Sequence, residues 1–183
     1  MQFLALLRGI NVGGNNIISK ETLKEMFLAL EFTKVSTYIQ SGNIIFSSTL
    51  SNSMQDKKLI TTSIQDALQK HFGKTIFVLV LSQCEYETLM QKAPTHWGVD
   101  ESQKHNILFL LHSEGAASII NQLPEPKASI ESIAVEGRGI FWSINKEHST
   151  SASFQALPKM PLYKKVTIRN HNTAWKLLQL LQV

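Results

Sequence analysis

The chain has 183 residues, of which 43% are hydrophobic and 17% charged, and it contains one cysteine. A chain of this length can bury about 70% of its unfolded surface, so it can form one large or two small domains. The composition excludes a disordered chain, and the single cysteine excludes an internal disulfide. No secretory signal pattern opens the sequence, and no apolar run reaches the length that spans a bilayer. We therefore expect a cytoplasmic protein with no membrane partner.

The net charge of +4 is concentrated in the last part of the chain. Residues 148–183 contain four lysines and one arginine but neither Asp nor Glu, so the remainder is close to neutral. A basic segment of this kind favours an anionic partner. The same pattern also fits a solvated basic face that serves only structure.

The first half of the chain contains elements in the order strand, helix, strand, strand, helix, strand. This order is typical of the split βαβ or ferredoxin-like unit. The hydrophobic periodicity and the capping residues place the elements as follows. They are the strand "FLALL" at 3–7, a helix capped by Ser19, the strands "KVSTYIQ" at 34–40 and "NIIFSS" at 43–48 around a two-residue turn, a helix over about 55–72, and the strand "TIFVLVL" at 75–81.

The second half repeats this order after a polar connection. Ser82 and Glu85 form a capping box for a helix that runs to about Lys92, and "PTHWGVDES" follows as the predicted boundary. The later elements are the strand "NILFLL" at 106–111, a helix over about 114–123, the strands "ESIAVE" at 131–136 and "GIFWSI" at 139–144, a possible strand "KKVTIR" at 164–169 and a helix over about 173–181. The sequence therefore predicts an α+β fold of two tandem ferredoxin-like (split βαβ) units, 1–93 and 94–183, with a C-terminal helix. The second unit is expected to end in the tail instead of a clean fourth strand.

Polar residues follow the first predicted strand in the stretch "LLRGINVGGNN" at 6–16. In a split βαβ unit the first and third strands are antiparallel neighbours, so Arg8 should lie beside the turn at 41–43. A guanidinium offers a planar, permanently charged fork for a carboxylate or phosphate. Amides could donate or accept around it, from Asn11, Asn15, Asn16, Gln40 and Asn43. The alternative is that these asparagines adopt turn conformations and bond nearby backbone.

The glycine loop does not match the known phosphate-binding motifs. Gly9 and Gly14 have the spacing of a Walker loop, but Asn15 and Asn16 stand where that motif needs lysine and a hydroxyl. The loop also lacks the G-x-G-x-x-G pattern of dinucleotide-binding folds. Neither a nucleotide triphosphatase nor a dinucleotide enzyme is predicted.

Three stretches resemble the signature motifs of a mainly bacterial family, domain of unknown function 1697. They are "LLRGINVGG" at 6–14, "TYIQSGNIIF" at 37–46 and "TIRNHNT" at 167–173, and the similarity extends over essentially the whole chain. The resemblance implies a two-part α+β fold of ferredoxin-like pieces without an assigned reaction. His171 stands where the family tends to have tryptophan, and Ile168 where it tends to have threonine, so roles at those positions are not carried over. The ligand-binding candidates that the resemblance groups are Arg8, Asn11, Tyr38, Gln40, Ser41, Asn43, Arg169, Asn170, Asn172 and Thr173.

The motifs contain no recognisable catalytic pair, so the sequence leaves open whether the protein is an enzyme, and it indicates no cofactor. His105 and His112 lie seven apart across a predicted strand and should point to opposite faces, so no metal site is predicted. Cys84 is interpreted as a small buried apolar residue and not as a nucleophile. Ser41 has no histidine close in sequence that would suggest a triad.

Two functional hypotheses follow from these features. The first is a binding or catalytic pocket for an anionic small molecule or nucleotide, built from the Arg8 loop, the 40–43 turn and the Arg169 tail. The second is single-stranded nucleic-acid binding by a sheet face that presents Phe109 and Trp142, with support from the basic tail. The competing interpretation of these two aromatics is that they pack in the core. The oligomeric state is left open.

Overall fold

The computed structural model describes residues 1–40, 42–112 and 121–182. The chain divides into two compact units. Unit 1 consists of Met1–Glu87 with Leu177–Val183, and unit 2 of Thr88–Lys176. The division after Glu87 comes earlier than residue 93, the end of the first domain expected from the sequence. Within the described residues, no helix combines the length and the apolarity needed to cross a membrane.

Unit 1 contains a four-stranded antiparallel sheet with the strand order β2-β3-β1-β4. The predicted antiparallel pairing of the first and third strands is confirmed, with Leu4 opposite Ile45. The elements are β1 (Gln2–Leu7), α1 (Lys20–Ala29), β2 (Thr33–Tyr38), β3 (Asn43–Ser47), α2 (Met54–Phe72) and β4 (Val78–Ser82), followed by α3 (Gln83–Gln91).

The helix ends of this unit lie where the sequence signals predict them. The Ser19 hydroxyl accepts a hydrogen bond from the Thr22 amide at 3.0 Å, which satisfies one of the free donors at the start of α1. At the end of α2, Gly73 adopts the left-handed conformation (φ 68°) that glycine tolerates best. The predicted capping box of α3 is confirmed, because the Ser82 amide donates to Glu85 Oε2 at 2.9 Å.

The connection between β2 and β3 is longer than the predicted two-residue turn. Pairing ends at Tyr38 and Asn43, so residues 39–42 form the connection. Ile39 has a φ of 48°, in the left-handed region, and this backbone conformation ends the strand alternation that the sequence extends to Gln40.

The core of unit 1 lies between one face of the sheet and the helices α1 and α2. Because side chains alternate along a strand, Phe3, Ala5 and Leu7 share the face that packs against this core. The core residues contributed by the two helices are Leu23, Phe27, Ile60, Ile64 and Leu68. Leu6 points to the other face by the same alternation.

Unit 2 contains a second antiparallel sheet, ordered β6-β7-β5-β8. In chain order this is the same arrangement as in unit 1. Its elements are β5 (Gln103–Leu110), β6 (Glu131–Glu136), β7 (Gly139–Asn145), the 3₁₀ helices Ser153–Lys159 and Pro161–Lys165, and β8 (Val166–Asn170), after which α4 (His171–Leu181) begins. The tail thus supplies a clean fourth strand, against expectation, because Val166 to Asn170 pair fully with β5. Most of the helix predicted over 114–123 falls on residues 113–120, outside the described residues.

Candidate functional site

Arg8 lies directly after β1, at the centre of the sheet in unit 1. Its amide donates to the Phe77 carbonyl at 2.9 Å, and the Leu7 amide donates to the Gly42 carbonyl at 2.8 Å. The segment before β4 therefore meets Arg8 on one side, and the 39–42 connection approaches it from the other. The predicted meeting of the Arg8 loop with the 40–43 turn is confirmed.

The loop after Arg8 forms a small hairpin. Val12 and Asn15 make an antiparallel bridge, and the Asn15 amide donates to the Val12 carbonyl at 3.0 Å. Between them Gly13 (φ 57°) and Gly14 (φ 76°) both have positive φ, as a type I′ turn requires. Residues 12–15 are exposed, so the hairpin presents its glycine tip to solvent.

Asn11 fixes this hairpin to its surroundings with three side-chain hydrogen bonds. Its Nδ2 donates to the Ile18 carbonyl at 3.0 Å and to the Gln40 carbonyl at 2.8 Å. Its Oδ1 accepts from the Ile18 amide at 2.9 Å. The side chain of this predicted ligand-binding residue thus closes the base of the loop and ties it to the 39–42 connection.

The other amides of the predicted site also contact nearby backbone. Nδ2 of Asn16 donates to the Gly9 carbonyl at 2.6 Å, and Nδ2 of Asn15 to the Gly13 carbonyl at 3.3 Å. The buried Asn43 donates to the Tyr38 carbonyl at 3.1 Å. These contacts agree with the alternative interpretation of the sequence, in which the asparagine side chains form hydrogen bonds with nearby backbone. Gln40 is exposed, Tyr38 half-buried, and Ser41 lies outside the described residues.

The predicted C-terminal candidates belong to unit 2, where they hold local structure. Arg169 is 7% exposed, and its Nη1 donates to Thr167 Oγ1 and to the Ile168 carbonyl, each at 2.8 Å. Asn170 caps α4, because its Oδ1 accepts from the Thr173 amide at 2.8 Å. The remaining candidate of this motif, Asn172, is exposed.

The aromatics of the nucleic-acid hypothesis are not available for stacking. Phe109 and Trp142 are both 0% exposed. Trp142 also donates its indole N–H to Glu131 Oε1 at 3.0 Å. A base can stack only on a ring that it can reach, so the stacking role predicted for these residues is wrong and the core-packing interpretation applies.

Sequence reasoning missed two buried polar groups of unit 2. Glu131 accepts from the amides of Ser153 and Phe154 as well as from Trp142, at 2.8 to 3.0 Å. His105 is buried, with Nδ1 2.8 Å from Ser143 Oγ and Nε2 2.9 Å from the Asp100 carbonyl oxygen. Both residues are ionisable and lie in strands. An ionisable side chain that is buried in a strand needs hydrogen-bond partners, so its position in a predicted strand was the sequence signal for a buried polar group.

The pKa of each group is lowered in the folded protein. Burial opposes ionisation of Glu131, but the hydrogen bonds from Ser153, Phe154 and Lys127 outweigh it and lower the pKa of the carboxyl below its ordinary value. Burial disfavours the charged imidazolium and lowers the pKa of His105. The contacts of both groups are internal, so they stabilise unit 2 and form no open catalytic centre.

The structure also shows the surroundings of Cys84 and of the possible metal ligands. Cys84 is exposed, so its interpretation as a buried apolar residue is wrong. Among the described residues, no group of three or more histidine, cysteine or acidic side chains could hold a metal ion.

Comparison with known proteins supports the family resemblance over the first two motifs, at 6–14 and 37–46, while the third motif, at 167–173, lies beyond the matched residues. The sequence model of the family described as protein of unknown function, DUF1697, matches residues 1–141. The chain belongs to the DUF1697 family. No curated protein matches it. Among solved structures, this DUF1697 chain is similar to the conserved bacterial protein SP0830 from Streptococcus pneumoniae, at 27% identity over 98% of each chain and a TM-score of 0.86. The similarity therefore extends over both units of the fold.

Proposed function

We propose that the DUF1697 protein binds an anionic small molecule or nucleotide at the Arg8 site, which we define as Arg8, the hairpin loop 9–18 and Gln40. The observation that carries this proposal is the position of Arg8, at the end of the central strand β1 where three segments meet. These segments are residues 1–20, 32–55 and 67–84, and their sequences contain lysine or arginine but neither Asp nor Glu. A guanidinium is permanently charged, and a net positive charge in the segments around it favours an anion.

The backbone of the site supports the same proposal. Left-handed φ values occur at Gly9, Asn11, Asn16 and Ile39. For a β-branched residue such as Ile39 this conformation costs about 1–2 kcal/mol. Strain of this kind is concentrated at functional sites, where the surrounding structure holds it in place. Here the Asn11 contact to Gln40 provides that restraint.

The function is tested by titrating the full chain with inorganic pyrophosphate and with adenosine diphosphate. Binding is measured by calorimetry and by the shifts of backbone amide signals in NMR. Arg8→Gln removes the charge but keeps a hydrogen-bonding side chain. A charged hydrogen bond contributes about 1.5–3 kcal/mol, so we expect an affinity loss of about tenfold or more. The matched control is Lys58→Gln on the exposed surface of α2. The proposal fails if neither probe binds at millimolar concentration, or if the two variants bind alike.

We also infer that each unit is a ferredoxin-like unit. The support is the strand order, which is second, third, first, fourth in both sheets. The test is an experimental structure of the full chain. A helix over residues 113–120 that packs on the sheet of unit 2 would complete the ferredoxin-like pattern. An extended conformation of those residues would contradict it.

A further inference from the structure

Phe77 lies directly opposite Arg8 in the sheet of unit 1. Leu7 pairs with Val78 in the β1–β4 ladder, and the bond from the Arg8 amide to the Phe77 carbonyl continues that ladder by one residue. Directly opposed residues of antiparallel strands project to the same face, with Cβ atoms about 4.5–5.5 Å apart. The aromatic ring and the guanidinium therefore start from neighbouring positions on one face.

Phe77 is also unusual in its exposure. All nine phenylalanines of the chain lie in the described residues. Phe77 is 39% exposed, whereas the other eight are buried or half-buried. Burial of a phenylalanine side chain stabilises the folded state, so a ring that is partly exposed to water gives up part of that gain. An aromatic group beside a cation is the usual composition of a ligand-contacting surface.

Further apolar side chains are exposed on the segments of the same site. Val12 and Ile17 lie on the hairpin, and Ile39 precedes Gln40; all three are exposed. Their segments are joined by the Asn11 side chain, which contacts both Ile18 and Gln40. Exposed apolar residues on segments that are joined in this way are typical of an interaction surface.

We propose that the anion bound at the Arg8 site carries a planar ring that packs against Phe77, as a nucleoside phosphate does. This inference rests on the proposed function, since Arg8 must bind the anionic group first. The ring then adds an apolar contact that a bare phosphate lacks, because bases stack favourably on aromatic side chains. The ligand class is therefore a ring-bearing small anion rather than an inorganic one.

The test compares two probes that share a diphosphate group, inorganic pyrophosphate and adenosine diphosphate, on the full chain. We expect Phe77→Ala to weaken adenosine diphosphate about tenfold and pyrophosphate less than about twofold, while Phe77→Tyr keeps both affinities. Met54→Ala, at an exposed apolar residue of α2, is the matched control and should change neither. Amide shifts away from Phe77 report whether each variant keeps the fold.

The outcomes separate the two proposals. If pyrophosphate binds in an Arg8-dependent way but the adenosine group adds no affinity, or Phe77→Ala weakens both probes equally, the ring inference is overturned and the anion site stands. If neither probe depends on Arg8, the proposed function itself fails. Tight, steeply salt-dependent binding of a single-stranded oligonucleotide, with no binding of adenosine diphosphate, would also overturn the small-ligand inference.

Discussion

The side chain of Asn11 donates to the backbone carbonyl of Gln40 at 2.8 Å, across 29 positions of sequence. Asn11→Gly should keep the left-handed backbone (φ 54°) while it removes all three side-chain hydrogen bonds. We expect the free energy of unfolding to fall by about 2 kcal/mol, measured by urea titration. Pyrophosphate affinity should fall as well, because the hairpin is no longer held beside Arg8.

Asn15→Gly is the control for this prediction. The Asn15 side chain makes one long contact, at 3.3 Å, to the Gly13 carbonyl at the exposed tip. Its loss should change the free energy of unfolding by less than about 0.5 kcal/mol. Equal destabilisation by the two variants would show that the Asn11 contacts do not hold the loop.

Gly42 and Gly14 offer a matched pair that separates backbone strain from steric conflict. Both have a φ above 70°, so alanine is strained at either position by about 1–2 kcal/mol. At Gly42 the new Cβ would lie 2.8 Å from Leu7 Cβ, whereas at Gly14 no atom lies within 4 Å. We therefore expect Gly42→Ala to lower the melting temperature clearly more than Gly14→Ala, since β1 and β3 must separate. Similar melting temperatures would contradict the close approach of these strands.

The sequence predicts the strands and helices well because each has a local signal. Ser19, Gly73 and the Ser82–Glu85 box define helix ends through contacts within a few residues, and such contacts are visible in a sequence. The connection after β2 was predicted too short because the left-handed Ile39 has no local signature. Glycine or asparagine would have indicated it, whereas isoleucine favours a strand.

The meeting of the Arg8 loop with the 39–42 connection was predictable from the sequence, but the contacts of each residue there were not. Arg8 and the 39–42 connection meet because the strand order brings them together, and hydrophobic patterning alone indicates that order. Whether an asparagine faces a ligand or bonds the backbone depends on distances set by the folded loop, as at Asn11. Phe77 lies inside the predicted strand at 75–81, whereas β4 begins at Val78, and no local sequence signal indicates that the ring of Phe77 is exposed.

Glu131 should stabilise unit 2 through its ionised carboxylate. Glu131→Gln replaces one acceptor oxygen by an NH₂ group that faces N–H donors of Trp142, Ser153 or Phe154. We expect a loss of about 2–4 kcal/mol in the free energy of unfolding at pH 7, measured in urea. The lowered pKa means that the stabilisation is present above the ordinary carboxyl pKa and is lost as pH falls through the lower folded value. Wild type and variant should therefore converge in acid, and a constant difference would contradict the role of the charge.

Ile39→Asn tests whether the left-handed backbone at residue 39 is strained by the β-branched side chain that occupies it. Asparagine tolerates the left-handed region better than a β-branched residue, and Ile39 is 41% exposed, so little burial is lost. We expect a gain of about 1 kcal/mol in the free energy of unfolding. Pyrophosphate affinity should stay within about twofold, because the Asn11 contact to the Gln40 carbonyl does not involve this side chain. Destabilisation by Ile39→Asn would mean that the isoleucine side chain, and not its backbone, is what the loop requires.

His105 makes the stability of unit 2 sensitive to mild acid. The Asp100 carbonyl can only accept, so Nε2 carries the proton and Nδ1 accepts from the Ser143 hydroxyl. Burial lowers the pKa of His105 below its ordinary value of 6.5 and outweighs the hydrogen bond to the Asp100 carbonyl, which raises it. As the pH falls through 6.5, the unfolded chain therefore binds a proton that the folded chain resists. The free energy of unfolding then falls, by at most about 1.4 kcal/mol per pH unit, until the pH passes the lowered pKa of the folded state. Urea unfolding followed by tryptophan fluorescence should show this slope in wild type and a shallower one in His105→Gln. The exposed His148→Gln should keep the wild-type slope, and an unchanged slope in His105→Gln would assign the acid sensitivity to another group.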